Sequence, residues 1–217
     1  MRLLLTVVAC AFLMCVPVFG AESAAPVPDK DGFYSLFDGK TLEGWKVGRN
    51  ADTFKVVDGN IVAHGPVAHL FYVGPVNNHN FRNFHFKAEV FTFPKANSGI
   101  YFHTEYQEAG WPAKGFEAQV NQTHADRRKT GGLYAVKDVM DVSPAKDEEW
   151  FLYEIIVQGK HVVLKVNGKV TCDWTEPDPP NPPSPGRKIS SGTFALQGHD
   201  PGSKVLFRNI MVKPLPD

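Results

Sequence analysis

The sequence predicts an all-β fold, an antiparallel sandwich or barrel, and three observations carry that expectation. Short segments alternate apolar and polar residues with a period of two, the spacing at which a strand sends successive side chains to opposite faces. Asp58-Gly59 and Asn167-Gly168 lie between such segments and suit the tight primed turns whose twist matches that of the strands they join. No convincing amphipathic helix of ten or more residues competes for the core.

In chain order, residues 1–20 open on the basic Arg2, run on as an apolar stretch and end at Val18-Phe19-Gly20. That is the layout of a secretory signal peptide, and the run is too short and too isolated for a membrane span. Cleavage near Gly20 is expected, which makes the mature chain secreted or periplasmic with no integral membrane association. Residues 21–31 are small, polar and Pro-containing and read as a disordered lead-in. A single domain is expected over 32–217. It begins with Gly32-Phe-Tyr-Ser-Leu-Phe-Asp-Gly-Lys-Thr-Leu-Glu-Gly-Trp45, followed by a hairpin over Phe54–Ala63 and a short strand over Leu70–Val73. Phe81–Phe93 reads as a longer strand with Phe84, Phe86, Ala88 and Val90 on one side and His85, Lys87 and Glu89 on the other.

The centre of the chain is a hairpin with arms Asn97–Tyr106 and Lys114–Asn121. Beyond it, residues from Gly131 to about Glu149 read as a loop. Strands follow at Trp150–Val157, Val162–Val166 and Val170–Trp174. Glu176–Gly186 carries Pro177, Pro179, Pro180, Pro182, Pro183 and Pro185; short of amide donors, it is expected to be a stiff extended loop outside the sheets. Gly192–Gly198 and Lys204–Lys213 close the domain.

Composition narrows the partner. Lys and Arg number 23 and Asp and Glu number 23, for a formal net charge of zero. Nucleic acid and anionic membranes select basic surfaces, so neither is expected as a partner. Of three cysteines, Cys10 and Cys15 leave with the signal peptide and Cys172 remains. A lone cysteine forms no internal disulfide, so the fold must be held by its core, and the mature chain is long enough for that. Cys172 alternates within a strand and reads as a small packed side chain rather than a nucleophile.

The chemistry concentrates on the central hairpin. Alternation puts Glu117, Gln119 and Asn121 on one face of the second arm, and Tyr101, His103 and Glu105 on one face of the first. Paired antiparallel, the arms make a polar aromatic surface over an apolar one, a platform suited to a carbohydrate; the plainer alternative is a face that only meets water.

The order of motifs also resembles a known family. Leu36-Phe-Asp-Gly-Lys-Thr-Leu-Glu-Gly-Trp45, Asn97-Ser-Gly-Ile-Tyr101, Gly115-Phe-Glu-Ala-Gln119, Gly132-Leu-Tyr134, Glu149-Trp150, Tyr153-Glu-Ile155, Val166-Asn-Gly168, Leu196-Gln-Gly-His199 and Phe207-Arg-Asn-Ile210 resemble, in order, the 3-keto-disaccharide hydrolase family. The resemblance covers nearly all of the mature chain. It implies a concanavalin-like jelly roll of two antiparallel sheets, one concave, and a carbohydrate substrate oxidised to a ketone at sugar carbon 3. It also implies elimination: the ketone acidifies the carbon-2 proton, a base removes it, the carbon-1 substituent leaves and water adds back. Such a site needs a base near neutral pKa, an acid for the leaving oxygen and donors for the enolate. Displacement through an oxocarbenium ion is the other route, and the same fold hosts binders without catalysis.

Glu117, mid-strand beside Gln119, is the first candidate for a catalytic carboxylate. His199, two residues after Gln197, is the second, because neutral imidazole accepts a proton at ambient pH. His103 is the third: with Glu105 it can orient a base or ligate a metal. No cofactor is expected; without a spaced ligand cluster a divalent metal stays open, calcium as readily as zinc. Trp111 and Tyr134 offer faces for stacking on a sugar. Tyr101, Gln119, Asn121, Gln197 and Arg208 are the polar binding candidates. Glu154 shares its parity with Trp150 and Leu152, so it is expected in an apolar layer, either desolvated for function or paired with Arg208.

Overall fold

The computed structural model describes residues 26–180 and 186–217. The signal peptide expected over 1–20 lies outside the described residues, as do 21–25 and the Pro-rich stretch 181–185. No helix among the described residues is long and apolar enough to cross a membrane.

Strands dominate. In chain order they are β1 (Tyr34–Ser35), β2 (Trp45–Val47), β3 (Phe54–Val57), β4 (Asn60–His64), β5 (Ala68–Tyr72), β6 (Phe84–Thr92), β7 (Asn97–Thr104), β8 (Phe116–Asn121), β9 (Arg128–Leu133), β10 (Lys137–Met140), β11 (Phe151–Gln158), β12 (His161–Val166), β13 (Lys169–Thr175), β14 (Thr193–Gly198) and β15 (Lys204–Pro214). One sheet runs β13-β12-β11-β6-β15-β4-β3, with β1 also paired to β15; the other runs β10-β9-β8-β7-β14-β5-β2. Every strand pairing is antiparallel. The two hairpin turns form where Asp-Gly and Asn-Gly stand: Asp58, Gly59, Asn167 and Gly168 all have positive φ, the geometry a two-residue primed turn requires.

Alternation decides which face is dry. β6 and β11 bury every second residue, so Phe84, Phe86, Ala88 and Val90 meet Phe151, Tyr153, Ile155 and Val157 in one layer between the sheets. Phe194 of β14 is wedged among Phe81, Phe84 and Phe86, with ring centroids 4.8, 4.8 and 4.7 Å away. Trp45 and Cys172 are buried in the same core, and Trp45 Nε1 donates to Leu36 O at 2.6 Å.

Four expectations need correction. The stretch expected as a loop after Gly131 contains strand: β9 ends at Leu133 and β10 spans Lys137–Met140. Its glycines and charges hid the pattern, because β9 is buried on both faces and does not alternate. Chain order begins before Gly32, since Asp29 Oδ1 accepts from the amides of Asp31 and Phe33 at 2.9 Å, an Asx turn inside the expected lead-in. Glu154 does not enter the core. It lies on the opposite face of β11 from Tyr153 and Ile155 and meets His85 Nε2 at 2.9 Å, opposite Lys87 and Lys165 on its neighbours. Arg208 pairs instead with Glu89 at 2.6 Å and covers the Trp150 ring at 3.9 Å.

Phe194→Ala removes the ring that three phenylalanines close upon. A loss of about 3–5 kcal/mol is expected, read as a lower urea midpoint without change in slope.

Candidate active site

The second sheet turns one face to the core and the other outward, and the pairing of β7 with β8 fixes what the outer face carries. Tyr101 is directly opposite Glu117, Gly99 opposite Gln119, and Asn97 opposite Asn121, as the parity of the two arms demands. β14 continues the surface on the other side of β7, pairing Ala195 with Tyr101 and bringing Gln197 alongside. A cavity of about 280 Å³ opens above them. Trp111 and Pro112 from the β7–β8 loop, Tyr134 after β9, Asp126, Arg187 and His199 complete its wall.

Glu117 is the buried charge of this cavity, only 6% exposed. Its Oε2 accepts from the Tyr101 hydroxyl at 2.8 Å. Gln197 Nε2 reaches both the Tyr101 oxygen at 3.1 Å and Glu117 Oε1 at 3.3 Å. Burial raises the Glu117 pKa to about 7, against the lowering pull of the Tyr101 hydrogen bond, the Arg187 charge and Gln197. The phenol is pushed the same way, well above its ordinary value, by burial and by the neighbouring carboxylate. Gly99 makes room for all this: a Cβ there would collide with Glu117 Oε1. Gln197 Oε1 is buried with no hydrogen-bond partner.

Across the cavity, His199 Nδ1 donates to Asp200 Oδ2 at 2.7 Å. In the neutral ring that leaves the Nε2 lone pair free. Asp200 is itself fixed, accepting from Ser203 Oγ and the Gly202 amide at 2.7 Å each, and these contacts hold its carboxyl below the usual range despite opposing burial. Trp111 packs on the His199 ring at 5.4 Å and His124 at 5.6 Å. His124, His199 and Asp200 bring ligand atoms within 4.8 Å of one another, but both Asp200 oxygens are engaged in the bonds just named, so here the carboxylate orients the imidazole.

Arg187 supplies the cation. Its Nη1 donates to Tyr134 O at 2.9 Å, and the Tyr134 ring lies 5.7 Å from its guanidinium and 4.9 Å from that of Arg128. Gly186, the residue before it, sits tightly against the backbone of Ala113, so the strap carrying Arg187 is seated on the β7–β8 loop.

A family model described as "3-keto-alpha-glucoside-1,2-lyase-like domain", the 3-keto-disaccharide hydrolase model, matches residues 32–213. The chain belongs to this family. Among solved structures, a "putative glycosyl hydrolase" from Parabacteroides distasonis ATCC 8503 is 25% identical with a TM-score of 0.71, covering 86% of this chain and 95% of that one. Two others share the fold alone: the carbohydrate-binding module CBM66 from Bacillus subtilis, at 11% identity, TM-score 0.57 and coverage of 78% and 95%, and the VIP36 exoplasmic/lumenal domain in a Ca²⁺/Man3GlcNAc-bound form, at 6% identity, TM-score 0.56 and coverage of 87% and 91%. No curated protein matches significantly. The chain is therefore a two-sheet jelly roll, and the family together with the neighbour described as a "putative glycosyl hydrolase" supports a carbohydrate-related role.

Of the residues expected at the site, the structure gathers Glu117, Tyr101, Gln119, Gln197, Trp111, Tyr134 and His199 around one cavity. Asn121 is on the same face but acts beneath the rim. Its Nδ2 donates to Asp126 O at 2.9 Å and Arg128 O at 2.7 Å, and its Oδ1 accepts from the His124 amide at 3.0 Å, so it shapes the loop that presents Asp126. Arg208 belongs to the other sheet and takes no part.

His103 is corrected too. Between Thr104 and Tyr101 the pairing with β14 slips by one residue, and His103 has φ +54°, so a β-bulge reverses the parity. The ring turns inward against Phe84 at 5.6 Å. Its Nε2 donates to Arg82 O at 2.8 Å, its Nδ1 accepts from the Ser190 amide at 3.3 Å, and burial lowers its pKa to about 4. It is a neutral, satisfied core histidine, and its expected pairing with Glu105 does not form; Glu105 meets Lys114 at 3.3 Å. Sequence reading missed Arg187, Asp126 and Asn97 in the wall. Only Asn97 had a signal to find, since it shares parity with Tyr101.

The raised pKa has a thermodynamic sign. Folded Glu117 holds its proton up to pH about 7 and an unfolded one only to 4.5, so the fold's advantage is full below 4.5 and drains away as pH rises to 7. Glu117→Gln is therefore expected to be more stable than the parent at pH 8, by on the order of 3 kcal/mol, and nearly equal to it at pH 4.5. Thermal unfolding at the two pH values reads the difference; a gain independent of pH would contradict the assignment.

Proposed function

We propose that the domain cleaves 3-keto-glycosides by elimination, with Glu117 as the base, and that it works outside the cytoplasm after loss of its N-terminal leader. The observation that carries this reading is the Glu117 carboxylate: buried in a sugar-sized cavity, bonded by Tyr101 and Gln197, and raised to a pKa of about 7. A base is most effective when its pKa lies near the working pH. A surface that only binds sugar has no use for a dry carboxylate whose ionisation costs stability.

The steps balance as follows. Glu117 takes the carbon-2 proton, whose acidity comes from the carbon-3 ketone. The C–H electrons form the carbon 1–carbon 2 double bond, and the carbon 1–oxygen bond breaks with its electrons on the leaving oxygen. Negative charge collects on the ketone oxygen during proton removal, and Arg187 is the cation in the wall positioned to stabilise it. His199 acts in its protonated form: with Nδ1–H held by Asp200, it gives its Nε2 proton to the leaving oxygen and is left as the neutral imidazole, which takes a proton back from the water that adds in the second step. The products are a conjugated enone and a free alcohol or sugar. Addition of water across the double bond, hydroxyl to carbon 1 and proton to carbon 2, then completes a net hydrolysis. The lyase in the family's description supports elimination over displacement.

The reaction is tested on a 3-keto-glucoside and its unoxidised parent, of which only the first should react. Deuterium at carbon 2 should slow it where proton removal limits the rate, and released keto-sugar should carry solvent deuterium at that carbon in heavy water. Displacement at carbon 1 yields neither result. Glu117→Gln and His199→Ala should each lose roughly 10²–10⁴ in kcat, and the acidic limb of kcat/KM should have its midpoint near 7, where Glu117 ionises. Normal turnover in both variants would remove the catalytic assignment of Glu117 and His199, and no turnover of the 3-keto-glucoside by the parent would leave the cavity as a binding site only.

A further inference from the structure

Two buried titratable side chains outside the proposed chemistry act on the same short segment. Glu176 directly follows β13 and is 6% exposed. His103 is the core histidine at the bulge of β7. The segment is 186–192, which leads into β14 and carries Arg187. Its Ile189 amide donates to Glu176 Oε1 at 2.7 Å, and its Ser190 amide donates to His103 Nδ1 at 3.3 Å. Two consecutive amides are thus received by two side chains, one beside each sheet, before β14 begins at Thr193.

Each acceptor is fixed in its turn. The Glu176 amide donates to Lys160 O at 2.9 Å, which ties the residue to the β11–β12 turn. His103 Nε2 donates to Arg82 O at 2.8 Å, so in the neutral ring Nδ1 is left to accept. Burial, with the Lys114 and Arg82 charges behind it, lowers the imidazole to a pKa of about 4, and the ring stays an acceptor above that pH. Arg82 and Lys160 line the same cavity as Glu176, yet neither forms an ion pair with it among the described residues. What the carboxylate meets is an amide, and a backbone amide turned away from water needs such an acceptor. On the other side of Arg187, Gly186 is seated on Ala113, and the Gly115 amide donates to Gly186 O at 3.3 Å. Arg187 therefore stands between two anchors, with its guanidinium in the wall of the Glu117 cavity.

We propose that Glu176 and His103 are positioning residues for Arg187: by receiving the Ile189 and Ser190 amides they hold the segment so that the guanidinium stays in the wall of the Glu117 cavity. The seat of Gly186 on Ala113 brings the segment there, and the two side chains keep it from sliding back. This rests on the elimination reading for the part Arg187 plays in the rate, but the placement of the charge is a separate claim with its own electrostatic consequence. Around Glu117, burial and the Asp126 charge raise the pKa, while the Tyr101 hydrogen bond, the Arg187 charge and Gln197 lower it; Tyr134 and His199 complete the ionisable wall. Moving Arg187 away therefore raises the pH at which Glu117 titrates. Removing the Glu176 carboxylate acts, by its own charge, in the opposite sense, because loss of a nearby anion favours ionisation of another acid. The two effects of a substitution at Glu176 differ in sign.

The test reads the titration of Glu117 by carbon-13 NMR of the labelled full domain, its carboxyl signal being the one that Glu117→Gln removes. Glu176→Leu keeps the bulk of the side chain and loses the acceptor; Glu176→Gln keeps the acceptor and loses the carboxylate. The first should move the Glu117 midpoint above its parent value of about 7, toward the value in Arg187→Gln, and should add nothing when combined with that variant. His103→Leu, which removes the second acceptor, should shift the midpoint the same way, and Glu176→Gln should leave it in place. A midpoint unchanged or lowered in Glu176→Leu or His103→Leu, a shift that adds to that of Arg187→Gln, or an equal shift in Glu176→Gln would overturn the positioning. Thermal unfolding checks each variant, and if Glu176→Leu does not fold, Glu176→Ser, too short to reach the amide, is read by the same criteria. Turnover of a 3-keto-glucoside is measured separately. Glu176→Leu should lose about tenfold or more in kcat, part of the roughly 10²–10³ that one charge-stabilising donor contributes, and Glu176→Gln should match the parent. If the parent does not react, the elimination reading fails and the titration still decides the placement; if the parent reacts and Glu176→Leu keeps its kcat, the proposal fails while elimination stands.

Discussion

Everything in the site depends on keeping one carboxylate out of water without neutralising it with a direct ion pair. A buried acid paired with an arginine would be held ionised far below neutrality and would be a poor base. A buried acid with no polar contact at all would stay protonated and would be costly to the fold. Glu117 stands between these limits because its two oxygens face a phenol and an amide, while Arg187 acts on it through space. Each neighbour then has to be neutral. Burial keeps Tyr101 from ionising, and Gln197 cannot ionise at all. The antiparallel pairing of β8, β7 and β14 is what makes the arrangement possible, since it sets Glu117 opposite Tyr101 and Tyr101 opposite Ala195.

That sheet logic was largely legible in the sequence. Parity along Phe116–Asn121 names the residues that share a face, and Asp58-Gly59 and Asn167-Gly168 fix their hairpins through backbone geometry that few other pairs adopt. Both are local properties, set by neighbours two residues away. The register of Glu117 against Tyr101 follows once the two arms are allowed to pair, because a slip of one residue would carry the apolar set to the surface.

What was not legible has a common cause: it depends on the chain meeting itself at long range. The bulge at His103 is invisible to alternation. It exists because Gly192 packs on the backbone of His103 and Thr104 and because Arg82 O and the Ser190 amide offer the imidazole two partners inside. β9 went unread because a strand covered on both faces does not alternate, and Gly131 and Gly132 look like a turn until Thr171 and β10 are found packed against them. Arg187 follows a run of prolines with no periodicity to place it. Only the seating of Gly186 on Ala113 brings its charge over Glu117.

The same long-range logic explains why the two candidate proton carriers come from such different settings. Glu117 sits mid-strand, where neighbouring strands supply the dryness that lifts its pKa. His199 sits just past the end of β14, half-buried, where a turn can bend Asp200 back onto its Nδ1. What an imidazole needs there is a fixed tautomer and a nitrogen aimed at the substrate. The strand interior is thus the place for the carboxylate and the strand terminus the place for the imidazole. Reversing them would give a charged carboxylate too weakly basic to take a carbon-bound proton and a buried imidazole held neutral, which is the condition His103 shows at a pKa of about 4.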